Sequence, residues 1–232
     1  MTNCQRRKAD KRQRMETRSS IKGLSHNLGL LATTFNIRQQ TSCSTLDKWL
    51  NVEGQATEQE LALLNEIHAQ VVVDGRYWNE EELKLRLVSL LFFIAKIDVI
   101  DRVKVFYERA MKGTIESYDL SVVTDCLVAT PAAFNTPQKP YFFLQEYKRS
   151  KGDSKDPEAQ MLSAMLIAQE QNQDQLPIYG SYIVGTNWYF TTLLGKDYCC
   201  SREYDVVRHE DILAVVFILR KLRDMILIRE KN

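Results

Sequence analysis

Apolar residues recur every three or four positions after Thr57 and after Asn79, which is the spacing of helices with one buried face, and Asp156 before Pro157 predicts the start of a further helix. The predicted helices follow Thr57, follow Asn79, span about residues 157–172 and span about residues 210–228. Thr57 and Asn79 are each followed three residues later by a glutamate, a spacing that predicts a capping box at both helix starts. Gly75 predicts the end of the first of these helices.

Short runs rich in β-branched and aromatic residues lie between these helices and predict strands. The predicted strands are 103–107, 119–129, 141–148, 178–184 and 188–194. From residue 79 onward the order is helix, three strands, helix, two strands and helix. This order predicts an α/β fold in which helices cover a central mixed sheet.

The segments before this core differ from it in composition and predict a chain of three parts. Residues 1–20 are polar and basic and predict a flexible arm. Residues 21–75 mix polar residues with short apolar groups and predict a mainly helical N-terminal extension. Residues 76–232 then form the main domain.

Charge is unevenly distributed over the 232 residues. The net charge is +1, but residues 1–38 hold nine Lys or Arg against two Asp or Glu, which leaves a net charge of −6 on the rest. A basic arm on a mildly acidic body favours contact with a polyanion such as nucleic acid. A tail that only keeps the protein in solution is the alternative.

Several classes of protein are disfavoured by what the sequence lacks. No apolar run approaches the ~20 residues that cross a bilayer, so no membrane partner is expected. The charged N-terminus, and five cysteines without a CxxC spacing, predict a cytoplasmic protein. The apolar run Ile212–Leu219 fits a core helix or a dimer surface, which leaves a homodimer open. No glycine-rich phosphate loop indicates a nucleotide-dependent enzyme.

Three charged residues stand inside the predicted apolar strands. Glu146 and Lys148 are two positions apart, so their side chains share one face of a strand. Asp125 lies in a neighbouring strand among valines and a leucine. Buried carboxylates require a counter-charge or a metal, and carboxylate oxygens are ligands that Mg²⁺ accepts. A structural salt bridge without catalysis is the alternative interpretation.

This arrangement resembles the PD-(D/E)xK nuclease superfamily over roughly residues 79–195. Asp125 matches the aspartate of the motif, and Glu146–Lys148 matches its ExK element in the expected strand order. Gln160, early in the following helix, matches a glutamine that several branches of the superfamily carry there. Thr124 departs from the pattern, because it occupies the position of the proline that gives the motif its name.

The same branches place a further glutamate near the metal, on the helix that here follows Asn79. Glu80, Glu81 and Glu82 all lie at its start. Glu82 is the predicted capping-box partner, whereas Glu80 shares a helix face with Leu83 and points toward the sheet. Glu80 is therefore favoured, although the sequence leaves the choice among the three glutamates open.

The resemblance implies a restriction-endonuclease-like core and a metal-dependent nuclease that hydrolyses phosphodiester bonds of nucleic acid, with DNA favoured. It implies Mg²⁺ as the cofactor, with Mn²⁺ able to substitute. Asp125, Glu146 and Glu80 would bind the metal, Lys148 would act beside it on water or phosphate, and Gln160 would support the site. The alternative is a catalytically inactive nucleic-acid-binding or assembly module on the same fold.

Overall fold

A computed structural model describes residue 21 and residues 23–148 and 156–229 of the protein. The basic arm predicted at 1–20 lies outside the described residues. Within them the chain forms six helices, numbered here in chain order. They are α1 (Leu28–Phe35), α2 (Ser44–Leu50), α3 (Glu58–Asp74), α4 (Glu80–Leu83, then a π-helical Lys84–Val88, then Ser89–Ala95), α5 (Pro157–Asn172) and α6 (His209–Arg229).

Eight strands form one mixed sheet, which confirms the predicted α/β architecture with a central sheet. The strands are β1 (Arg38–Gln40), β2 (Lys104–Ile115), β3 (Tyr118–Ala132), β4 (Thr136–Lys148), β5 (Ile178–Val184), β6 (Asn187–Leu194), β7 (Asp197–Cys200) and β8 (Tyr204–Asp205). Their order is β1-β7-β6-β5-β4-β3-β2, with β8 paired to β6. The pairs β4–β5 and β1–β7 are parallel, and the other neighbours are antiparallel.

The sheet carries a hydrophobic layer on each face. On one face α3, α4 and α6 bury their apolar residues together with Phe143 and Trp188. On the other face α5, which is buried along most of its length, packs with α1 against Leu144 and Leu193. Helices on both faces explain why β5 and the C-terminal half of β4 are buried on both sides.

Both predicted capping boxes are present. Thr57 Oγ1 accepts from the Glu60 backbone N–H while Glu60 Oε2 accepts from the Thr57 N–H, and Asn79 makes the same exchange with Glu82. Local hydrogen bonds of this kind satisfy backbone donors at a helix start that have no partner within the helix. The first turns of α3 and α4 were therefore readable from the sequence alone.

Strand lengths differ from the prediction. The structure extends β2 from the predicted 103–107 to Ile115 and adds three short strands, β1, β7 and β8. Residues 108–115 include three charged side chains, an alanine and a glycine, which suits β2 because it is an edge strand of the sheet and is largely exposed or half-buried. Such a segment lacks the β-branched and aromatic run on which the prediction relied.

The N-terminal extension is mainly helical, as predicted, and it is tied to the sheet. Trp49 of α2 is fully buried, and its indole N–H donates to the Ile218 carbonyl oxygen at 3.0 Å. Cys43, just before α2, forms a disulfide with Cys199 of β7. A separation of 156 residues gave no motif by which this pairing could be read from the sequence.

The sequence contains no apolar run of the length that crosses a bilayer, and the helices of the structure can be compared with that requirement. Across the described ranges, none of the helices combines the length and the apolar character that a bilayer crossing demands.

Candidate active site

The site lies where β3 and β4 separate. Their backbone ladder ends with the pair Cys126 and Gln145, and Asp125 lies one position beyond it. There Asp125 Oδ2 accepts a hydrogen bond from the Tyr147 backbone N–H at 2.9 Å. The Asp125 side chain thus accepts from a β4 backbone N–H at the point where the β3 backbone no longer pairs with β4. This hydrogen bond holds the carboxyl group of Asp125 between the two strands.

Glu146 is the most buried acid of the site, with 1 % of its surface exposed. By strand alternation it shares a sheet face with Leu144, the face on which α5 packs. Its carboxyl group lies close enough to that of Asp125 for each group to shift the pKa of the other. Its Oε1 atom is buried and has no hydrogen-bond partner among the described residues. A buried acceptor oxygen of this kind requires a donor or a cation.

The two carboxyl groups perturb each other. Burial is the largest cause that raises the pKa of Glu146 well above its usual value, and the charge of Asp125 adds to the rise. Burial also raises the pKa of Asp125, although the hydrogen bond from the Tyr147 N–H works against it. Burial and the neighbouring carboxyl group therefore both favour the protonated form of Glu146.

Lys148 supplies a positive charge beside the two carboxyl groups. Its ammonium group forms an ion pair with Glu80 Oε1 at 2.9 Å, and its side chain is only 13 % exposed. Burial works to lower the pKa of Lys148, but Glu80, followed by Asp125 and Glu146, outweighs burial and raises it. Lys148 is therefore a charged amine held between Glu80 and the carboxyl pair.

The three candidate glutamates at the start of α4 have different partners. Glu80 contacts Lys148, whereas Glu81 contacts Lys84 at 2.9 Å and Glu82 closes the capping box. Glu80 is thus the one of the three that contacts Lys148, and its role beside a metal stays a prediction. It does so through Lys148, with 41 % of its side chain exposed.

Gln160 lies in the first turns of α5, the helix that follows β4 in the chain. It is buried, and its Oε1 atom has no hydrogen-bond partner within the described part of the chain. Because α5 packs on β4 and begins beyond the end of that strand, Gln160 and Glu146 belong to the same sheet face and the same end of the sheet. No hydrogen bond joins Gln160 to the carboxyl pair.

Lys84 and Glu108 complete the site and were missed from the sequence. Lys84 lies in the π-helical segment of α4, nearly buried, and its ammonium group contacts Glu108 Oε1 at 2.6 Å and the face of the Tyr147 ring. Glu108 lies across from Asp125 in the β2–β3 register, has a φ of 52°, and bears on the Asp125 pKa through its charge. π-helical turns and left-handed non-glycine residues both recur at functional sites.

The charges of the site favour a cation. Five acidic side chains face two lysines here, namely Glu80, Glu81, Glu108, Asp125 and Glu146 against Lys84 and Lys148. Within the described ranges, no group of three or more His, Cys, Asp or Glu side chains has the arrangement of a metal centre. The donor set is therefore a carboxyl pair, which fits Mg²⁺ because that ion commonly binds through one or two carboxylates and keeps several waters.

Two sequence comparisons with known proteins found no relative of this chain. No protein-family model matches the chain, and a search of the curated proteins finds no similar sequence.

The raised pKa of Glu146 predicts how stability depends on pH without metal. A carboxyl whose pKa is raised by folding stabilises the native state fully below its unfolded value of about 4.5, and this contribution is lost as pH rises through the folded value. Metal-free protein should therefore lose stability above about pH 4.5, and Glu146→Gln should flatten that loss. Chemical denaturation across pH in chelator measures it, with Glu116→Gln, on an exposed acid, as the control. Parallel pH profiles for wild type and Glu146→Gln would contradict the assignment.

Proposed function

We propose that the protein is a metal-dependent nuclease that hydrolyses phosphodiester bonds, with DNA as the favoured substrate. The observation that carries the proposal is that the Tyr147 N–H holds the Asp125 carboxylate against β4, on the residue between Glu146 and Lys148, where Asp125 and Glu146 shift each other's pKa. Two acids and a lysine at one end of a sheet are the groups that metal-assisted phosphodiester hydrolysis requires. The sequence resemblance to the PD-(D/E)xK superfamily rests on the same three residues.

The strand order from β2 onward supports a restriction-endonuclease-like core within residues 76–232. A helix precedes three antiparallel strands, and a second helix then leads to a strand parallel to the third. The parallel step between β4 and β5 requires a crossover, which α5 provides on the face that Glu146 shares.

Each residue has a distinct task in the proposed reaction. Asp125 and Glu146 would hold Mg²⁺, which when bound supplies an activated water and neutralises charge on the scissile phosphate. Glu146 would release its proton on loading, because the cation replaces it as the counter-charge of the pair. Lys148, kept in place by Glu80, would stabilise the negative charge that grows on the phosphate in the transition state. Gln160 would support the site from the sheet face that it shares with Glu146.

Cleavage of labelled nucleic acid tests the proposal directly. Wild-type protein should cleave a duplex or a single strand in Mg²⁺ or Mn²⁺ and should stop in chelator. Glu146→Gln serves as the matched inactive variant, since it keeps the shape of the side chain and removes its charge. Metal-independent cleavage, or cleavage by Glu146→Gln at the wild-type rate, would refute the proposal.

A catalytically inactive nucleic-acid-binding module is the second candidate. The observation that favours it is the engagement of Glu80 with Lys148, which leaves two acids for a metal rather than three. Such a module would bind nucleic acid equally well in chelator and would tolerate Lys148→Ala. Wild-type binding without cleavage on any substrate would select this candidate.

The basic N-terminal arm yields a further prediction from sequence alone. Residues 1–20 hold seven Lys or Arg against two acids, so deleting them should weaken DNA binding and flatten its salt dependence. Each lost phosphate contact should reduce the slope of log K against log salt by about 0.9. Salt titrations of the full-length and truncated proteins measure this slope. The same slope for both proteins would show that the arm makes no phosphate contact.

A further inference from the structure

The hairpin of β3 and β4 extends beyond the rest of the sheet. β2 accompanies β3 only as far as Ala129, and β5 accompanies β4 only from Phe143 onward. Beyond these points, among the described residues, β3 and β4 pair only with each other. Thr130 pairs with Gln138, and Ala132 pairs with Thr136. The hairpin tip is therefore open to solvent on both edges.

The base of this projection is fixed. Asn172, the last residue of α5, receives a hydrogen bond from the Tyr141 N–H at 2.9 Å and donates one to the Tyr141 carbonyl oxygen at 2.8 Å. The two bonds attach β4 to α5 just where β4 leaves the sheet. The tip thus projects from a rigid support rather than from a loop.

Phe134 at the tip is fully exposed, at 100 % of its surface. Phe134 and Asn135 have φ values of 57° and 56°, in the left-handed region that bulky residues rarely adopt. Burial within the chain does not compensate this strain, because the Phe134 ring lies in solvent. An exposed aromatic ring on a strained, well-supported turn indicates contact with another molecule.

The charge of the hairpin indicates what that molecule is. Residues 126–145 contain no Asp or Glu, and their one charged side chain is Lys139. Lys139 is exposed on the returning strand close to the tip. A hairpin that carries an exposed ring and a lysine but no carboxylate of its own suits nucleic acid, in which aromatic bases lie next to phosphates.

We propose that Phe134 stacks on a base of the bound nucleic acid, at a point remote from the site of cleavage. The inference rests on the proposed function for the nature of the partner. Phe134 follows the end of β3, nine residues beyond Asp125, which is a span of at most about 30 Å at ~3.3 Å per residue. The contact therefore determines where the nucleic acid is held, and it takes no part in the chemistry.

Equilibrium binding tests this without relying on cleavage. The protein is used in chelator, with Phe134→Ala, Phe134→Leu and Phe134→Trp compared on 2-aminopurine-labelled single strand, duplex, and duplex with one unpaired base. Phe134→Ala should raise Kd about 5-fold to 150-fold, the range of one lost base–aromatic stack. Phe134→Trp should bind like wild type, and Phe134→Leu should fall between them.

The three nucleic acids distinguish the source of the base. A loss confined to the single strand and the unpaired base indicates stacking on a base that is already free. A loss on the intact duplex indicates that the ring wedges between base pairs. Phe93→Ala is the matched control, because Phe93 is 74 % exposed on α4, outside the hairpin, and should leave Kd unchanged.

Failure of this inference is distinguishable from failure of the proposed nuclease. Equal Kd values for wild type and Phe134→Ala on all three nucleic acids would overturn the stacking contact, even if the wild type cleaves DNA. No binding by the wild type would overturn it as well, and so would an effect of Phe134→Ala on self-association alone. Binding that depends on Phe134 without cleavage would uphold the contact and refute the nuclease.

Discussion

Replacing Lys148 with alanine should reduce the single-turnover rate of cleavage by about 10²-fold or more, the scale for losing one electrostatic stabiliser. In the ground state the Lys148 ammonium pairs with Glu80 and offsets the charge of Asp125 and Glu146. In the transition state it also meets the additional negative charge on the phosphate, and only that gain accelerates the reaction. DNA binding should therefore change little while cleavage falls.

Two further lysine variants sharpen this test. Lys148→Arg keeps the charge but changes the donor geometry, so partial activity at best is expected. Lys196→Ala is the matched control, because Lys196 also forms a 2.9 Å ion pair with a glutamate, Glu116, in an exposed position. Cleavage at the wild-type rate by Lys148→Ala would exclude the assigned role of Lys148.

Adding Mg²⁺ or Mn²⁺ should raise the melting temperature of the wild type. A ligand that binds only the native state stabilises it by about 2.7 kcal/mol when the free ligand concentration is a hundred times Kd. For a chain of this length that corresponds to an increase of about 5 to 10 °C. The expected binding group is the carboxyl pair, in which Glu146 Oε1 has no other partner among the described residues.

Asp125→Asn should abolish this gain and should also melt higher than wild type without metal. The second effect follows because burial disfavours the charge of Asp125, and an asparagine oxygen can still accept the hydrogen bond from the Tyr147 N–H without that buried charge. Asp101→Asn is the control for binding elsewhere, since Asp101 is an exposed aspartate outside the cluster. An unchanged melting curve for the wild type in millimolar Mn²⁺ would argue strongly against a metal at this pair.

A site residue could be predicted from the sequence where a charged side chain stands within an otherwise apolar strand. Glu146 and Lys148 stood out because charge is rare in an apolar strand, and Asp125 stood out for the same reason. Lys84 and Glu108 could not be found this way. Lys84 occupies a helix position typical of a solvated lysine, and Glu108 lies in an edge strand where charge is ordinary. Their contact depends on the packing of α4 against β2, which local pattern does not encode.

The elements of the fold likewise differ in whether local sequence predicts them. Long helices with caps were predictable, because capping boxes and apolar periodicity act within a few residues. The short strands β1 and β8 were not, since two or three residues carry no periodicity and β1 consists entirely of exposed polar side chains. Their pairing is determined by distant partners, and a pattern read along the chain does not contain that information.

The pairing of β1 with β7 has a consequence for folding during synthesis. Arg38 contacts Asp197 across 159 residues of sequence, so β1 has no strand partner until β7 has been synthesised. Contacts of such high order form late, because a long loop must close before they contribute. Trp49 likewise packs on Tyr179 of β5 and Phe190 of β6, so its native neighbours are also absent until those strands have been synthesised. Helix α2 should thus acquire its native packing later than the elements that pair with near neighbours in sequence.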